Sequence, residues 1–239
     1  ILSLLRPYGA EAYRDAVIQS PIHVAKTSIT ALLAWPYRRL SVAIWMTSFL
    51  SLFCIFGLSG WVPTLMHARG ESFGASFGFG ALMQVMSFIG ALACGYLVDR
   101  TARARTWLCV WSLGGALAVL TLVFFDFHAV NMICTAMAGF CIIGGQFVLN
   151  NFTAASYETQ LRATAVGMEL AVGRLGAILG PFIGGMLQQV FGGQDAMLLA
   201  IALAATCAAG TVMLARHAPP TRLDEPTPVQ STSPGILNG

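Results

Sequence analysis

Charge is what this sequence has least of. Lys, Arg, Asp and Glu make up 10% of its 239 residues, where an ordinary soluble domain carries about a quarter. That scarcity excludes a conventional water-soluble surface. The net charge of +3 is small and scattered, whereas a nucleic-acid surface needs cations clustered on one soluble face. Histidine is sparse too: His23, His67, His128 and His217 are too far apart for a metal constellation or a nucleophile triad. Neither metal, cofactor nor enzymatic chemistry is expected. The six cysteines, Cys54, Cys94, Cys109, Cys134, Cys141 and Cys207, have no C-x-x-C spacing, which argues against a zinc or redox motif and leaves them as packing residues. Strict apolar and polar alternation is also missing, so barrel strands are not expected.

What the sequence does have is long apolar runs, in a chain that is 56% hydrophobic. Six approach the roughly 20 residues that cross a bilayer as helix: 40–66, 74–98, 106–125, 129–152, 164–191 and 196–215. Backbone left unpaired in hydrocarbon costs several kcal/mol, so the runs predict an all-α integral membrane bundle. Residues 1–37 and the proline-rich 217–239 lie outside it, the latter reading as a disordered tail and 38–216 as the bundle. Arg6, Arg14, Lys26, Arg38 and Arg39 precede the first run; Arg100, Arg103 and Arg105 fill the second connection, Arg162 the fourth, and Arg216 and Arg222 the tail. The opposite side holds only Arg69. This asymmetry predicts cytoplasmic termini. The sequence starts with Ile and has no signal-peptide pattern, which fits a fragment beginning in a cytoplasmic linker.

Within the fifth run, helical spacing puts Glu169, Gly173, Gly176, Gly180 and Gly184 on one stripe, with Gly167, Arg174, Pro181 and Gly185 roughly 140° around. Small residues on both stripes predict close helix packing, and Pro181 beside Gly180 predicts a bend. Arg174 lies too deep for easy escape to water, so it needs a polar cavity or a partner. It is either one half of a structural ion pair or a guanidinium fork for a substrate carboxylate. Glu169, five residues away, is on a different face. It is read either as a carboxylate bonded to Arg162 or to the second connection, or as a buried proton carrier. Gln146 and Asn150 share a face of the fourth run, for helix-to-helix bonding or for a substrate hydroxyl or carboxylate. Trp45, Phe49, Phe53 and Phe56 form an aromatic stripe on the first run, which would pack or would stack on an aromatic ring. Asp99, Arg100, Arg103 and Arg105 make a charged elbow, either an orientation signal or a gate latch.

Three stretches carry a family resemblance. "GYLVDRTARAR" (95–105) resembles the G-x-L-x-D-R-x-x-R signature of the major facilitator superfamily. "WVPTLMHARG" (61–70) and "YETQLRATAVGMELAVGRLGAILGPFIGG" (157–185) resemble its aromatic acid:proton symporter branch. Glu158 stands where that branch usually has proline, and Glu169 where an uncharged residue is common. The resemblance implies the C-terminal six helices of a twelve-helix carrier, with the substrate site between the halves near the bilayer midplane. It implies import of a small organic anion, such as benzoate or a hydroxybenzoate, with protons, across a bacterial inner membrane. The main proton-coupling carboxylates would then belong to the N-terminal half. Arg162 and Arg174 fall at arginines important in the family, with Arg162 at the cytoplasmic entrance. Arg174, Gln146, Asn150 and Trp45 are the substrate-site candidates, Glu169 the proton candidate, and Asp99, Arg100, Arg103 and Arg162 the gate. Another carrier of the superfamily, a drug exporter, and a non-transporting membrane sensor or assembly protein remain as alternatives.

Overall fold

The computed structural model describes residues 29–35, 37–191 and 195–215. The expectations for 1–28 and for the tail from 216 lie outside these. A short helix, α1 (Ile29–Leu33), precedes six long ones: α2 (Arg38–Ala68), α3 (Phe73–Thr101), α4 (Ala104–Phe124), α5 (His128–Ser156), α6 (Thr159–Phe191) and α7 (Asp195–Leu214). All six are long and apolar enough to cross a membrane. They coincide with the six runs, extended where polar turns continue a helix beyond its apolar stretch. The largest extension is α6, which begins at Thr159 rather than Thr164, because Thr159, Gln160 and Arg162 are compatible with helix yet too polar to register as hydrophobic span.

The connections gather at two ends. At one, the α3–α4 elbow, the α5–α6 connection, α1 and the end of α7 come together: Arg105 donates to the Ala215 carbonyl at 3.2 Å, Tyr37 to Glu158 at 2.8 Å, and Ser41 to the Leu32 carbonyl at 2.7 Å. This is the basic end. At the other, Arg69 reaches from the α2–α3 connection to the end of α4, donating to the Leu122 carbonyl at 2.5 Å and to Asn131 at 2.8 Å, with Asp126 at 3.6 Å. His128 pairs with Glu71 beside it.

Glycine sets the closest approaches. The stripe of Glu169, Gly173, Gly176, Gly180 and Gly184 is the buried face of α6, laid along α2. A Cβ on Gly176 would stand 2.1 Å from the Phe49 carbonyl oxygen, and one on Gly180 2.5 Å from that of Phe53. The backbones themselves therefore form the contact. The packing expectation holds for this stripe but not for Gly167, which has open space around its Cβ position.

The second intimate contact joins α3 to α5, and the sequence carries no periodic sign of it. Residues Gly139–Ile143 form a π-helical turn inside α5. Gly90 and Met83 of α3 press against it: Cβ atoms on Gly90 and Gly139 would meet the Phe140 and Met83 carbonyl oxygens at 1.9 and 2.2 Å. One extra residue in a helical turn widens it, and single π-turns of this kind recur where helices carry function.

At the elbow, Ala102 closes α3 in the left-handed region, at φ 53°. This conformation costs an L-residue roughly 1–2 kcal/mol. It lets α3 turn back into α4 within two residues.

Candidate functional site

Arg174 is the sixteenth of the 33 residues of α6, and therefore sits at mid-helix. It is exposed, on the side of α6 turned away from α2, between the exposed aliphatics Leu170, Leu175 and Ile178. The described residues offer it no ion pair or hydrogen bond. An intra-half ion pair is thus not made. Arg162, twelve residues earlier and about 18 Å down the helix axis, is exposed as well.

Glu169 occupies the opposite situation. It is fully buried among α2, α5 and α6, and the described residues give it no bond to the elbow or to Arg162, so the expected bond to either is not found. Asn150, with its amide nitrogen turned to the carboxyl, donates to Glu169 Oε1 at 2.9 Å and to the Gln146 backbone carbonyl at 3.1 Å. Gln146 Nε2 lies 3.5 Å from the same oxygen, and the Ser48 and Thr153 hydroxyls lie against the carboxyl. Gln146 and Asn150 share one face of α5, and both reach the Glu169 carboxyl of α6, a helix-to-helix contact; Gln146 is buried, whereas Asn150 keeps part of its surface.

Below this cluster, towards the basic end, Tyr157 is buried and shares a 2.9 Å hydrogen bond with Ser41. Its ring stacks on Tyr37 at 5.6 Å. Burial raises the Tyr157 phenol above its ordinary range; the Ser41 bond opposes this, and the Glu169 carboxyl adds to it. Neither tyrosine figured among the sequence candidates. Their signal, two Tyr flanking the apolar runs near charged connections, was too common to single out.

Trp45 is half-buried and packs against the hydrophobic cluster of Leu40, Ile44 and Leu149. Phe49 and Phe53 lie along α6, leaving Phe56 exposed. The aromatic stripe is mainly a packing feature. Gly180 and Pro181 lie where α6 passes Gly57 and Gly60 of α2, and Trp61 donates to the Pro181 carbonyl at 3.4 Å. Pro63 lies in α2 near the same level, so both helices lose a backbone hydrogen bond there.

In the elbow, Asp99 and Arg103 are exposed, and the described residues give neither an ion pair. Arg103 precedes α4 without a side-chain cap, so Asp99 does not latch a helix N-terminus within this half. Arg100 donates to Tyr96 at 2.9 Å. Asp99, Arg103, Arg105 and Asn151 line an open cleft of about 580 Å³.

A family model described as Major Facilitator Superfamily matches residues 87–238. A gallate transporter of Pseudomonas putida is 32% identical over 202 residues, 84% of this chain and 45% of that protein. A 4-hydroxybenzoate transporter of Pseudomonas aeruginosa is 31% identical over 80% of this chain and 42% of its own length. For a benzoate transport protein of Acinetobacter baylyi the values are 31%, 79% and 40%. The chain spans less than half the length of these relatives.

Proposed function

The chain belongs to the major facilitator superfamily, and from that premise we propose that it is the C-terminal half of a secondary carrier importing an aromatic carboxylate with protons by alternating access. The observation that carries this reading is Arg174. At mid-helix an arginine facing lipid costs about 2.5 to 3.5 kcal/mol even on the lenient insertion scale. Its face of α6 must therefore meet something polar that these six helices do not supply. A central cavity against the N-terminal half is that surface, and a guanidinium fork there binds a carboxylate bidentately. The names of the relatives, all aromatic acids, support the choice of anion.

The basic end faces the cytoplasm of a bacterial inner membrane, by the distribution of Lys and Arg. Arg162 stands at that entrance. Asn150, partly exposed, borders the route. Gln146 holds Asn150 and α6 rather than the anion, and Trp45 supports the α2 wall from behind. Asp99, Arg100 and Arg103 form a gate whose latching partner belongs to the other half, since none is met in this one.

The test is uptake of labelled benzoate and hydroxybenzoates by the full-length carrier in proteoliposomes under an inward proton gradient. Removing one charge-assisted pair costs about 1.5–3 kcal/mol, so Arg174→Gln lowers uptake by roughly 10- to 100-fold while Arg174→Lys retains part of it. Uptake of none of these acids discards the substrate class. Uptake unchanged in Arg174→Gln makes the arginine structural.

A further inference from the structure

The buried polar side chains of this half are not spread evenly. Ser48, Gln146, Thr153 and Glu169, all buried, gather where α2, α5 and α6 meet, and Ser41 and Tyr157, also buried and bonded to each other, stand nearer the basic end. The described residues contain five buried side-chain polar atoms without a hydrogen-bond partner: Ser48 Oγ, Gln146 Oε1, Glu169 Oε2, Trp111 Nε1 and Thr135 Oγ1. The first three belong to this one cluster. Buried polar atoms are rarely left unpaired, so three together mark a place where something is held.

The pattern of donors identifies it. Thr153 has a single hydroxyl proton and donates it to the Leu149 carbonyl at 3.0 Å. Towards Glu169 it therefore presents only lone pairs. A carboxylate facing those lone pairs is repelled, whereas a carboxylic acid donates to them. On Oε1 the Asn150 amide donates, as it does to the carbonyl oxygen of an acid. One carboxyl oxygen thus has a donor, and the other, Oε2, has no hydrogen-bond partner among the described residues. Charge gives the same answer. α2 presents Ser48 and α5 presents Gln146, Asn150 and Thr153, none of them ionisable. The Tyr157 phenol is the titratable group facing the carboxyl. Arg162 and Arg174 of α6 itself lie on exposed faces, and no cation of the described residues pairs with Glu169. An unpaired buried charge is expensive, and a proton removes it.

We propose that Glu169 is a proton-binding site in this half of the carrier: a neutral acid protonated on Oε2, its single O–H turned to the Thr153 oxygen, with Ser48 beside it. Its proton exchanges with the basic end along the row that finishes at Tyr157. Tyr157 fits that position, because Ser41 spends its proton on the Leu32 carbonyl. The phenol is then the donor to Ser41 and keeps a lone pair for an incoming proton. Deprotonation sends H⁺ out along this row and leaves the carboxylate to the Asn150 and Gln146 amides; reprotonation reverses both. The inference rests on the proton-coupled reading, but its test does not.

The experiment is infrared difference spectroscopy of the full-length carrier in lipid, between acid and alkaline buffer. The wild type shows the carbonyl stretch of a protonated carboxylic acid at acid pH, and Glu169→Gln lacks that component. Ser48→Ala, which keeps the carboxyl but removes one partner, moves its frequency, so the assignment survives if Glu169→Gln folds poorly. Proton-driven uptake is measured on the same preparations. Identical difference spectra for wild type and Glu169→Gln, with no frequency shift in Ser48→Ala, overturn the site. Absence of gradient-driven uptake with the Glu169 band present overturns the symport reading and leaves the site standing.

Discussion

Substituting Gly90 by alanine tests the α3–α5 contact most directly. The added methyl group would stand 1.9 Å from the Phe140 carbonyl oxygen, 2.6 Å from its carbon and 2.8 Å from the Phe140 Cα. Ordinary contact begins at 3.4 Å, so the helices must separate by roughly 1.5 Å at this level. None of the three atoms can rotate away, since all belong to backbone inside the π-turn. Separation would also loosen the neighbouring approaches of Gly139 to Met83 and of Gly144 to Gly90 itself. Over-packing against side chains costs about 1–3 kcal/mol, and a backbone obstacle puts Gly90→Ala at or above the upper figure. In a carrier more than twice this chain's length the shift per kcal/mol falls below the roughly 2–4 °C of a 150–250-residue domain, so 3 kcal/mol lowers Tm by about 3 to 6 °C. The assay is thermal unfolding of purified full-length protein in detergent, followed by tryptophan fluorescence. Gly95→Ala, on the same helix with open space at its Cβ position, is the control and keeps or raises Tm, because alanine suits a helix better by about 0.5–1 kcal/mol. Equal Tm for the two variants would refute the claim that α3 and the π-turn meet backbone to backbone.

Three further outcomes are expected. Arg69→Met removes the donors to the Leu122 carbonyl and Asn131; with charged hydrogen bonds worth about 1.5–3 kcal/mol, it lowers Tm measurably and speeds proteolysis of the 125–127 connection, and an unchanged cleavage rate would contradict the clasp. Ala102→Gly relieves the left-handed strain and raises stability by about 1 kcal/mol, read as a higher Tm. Tyr157 has its folded-state ionisation raised by burial, so its contribution to stability is full below the ordinary tyrosine range near pH 10 and is lost as pH climbs through the raised value. Alkaline unfolding is the readout: Tyr157→Phe flattens that loss while giving up the Ser41 bond, worth about 1 kcal/mol.

The helices were legible because hydropathy reports burial in lipid directly, and all six runs became helices. The stripe from Glu169 to Gly184 was also legible, since a period of 3.6 fixes which residues share a face, and it proved to be the seam with α2. Partners were harder. Glu169 could be seen to need one, but that the partner would be the Asn150 amide, rather than Arg162, depends on how α5 is rotated against α6. A π-turn lies in α5 just before these residues, and "GFCII" gives no periodic sign of it. Glu169 and Arg174 do lie on different faces of α6, one buried and one exposed, as a five-residue separation requires. The elbow was placed between α3 and α4, but Asp99 and Arg103 meet no ion-pair partner among the described residues.

The clasp at Arg69 has a consequence for the order of assembly. Arg69 follows α2, yet its acceptors lie 53 and 62 residues later, at Leu122 and Asn131. During synthesis this guanidinium exists well before the end of α4 does. Until α4 and the start of α5 arrive, it lacks these acceptors. The hairpin of α2 and α3 is thus left incomplete by design and is closed by the next hairpin. Formation of the α2–α3 hairpin and its fixation are separate events in the life of the chain.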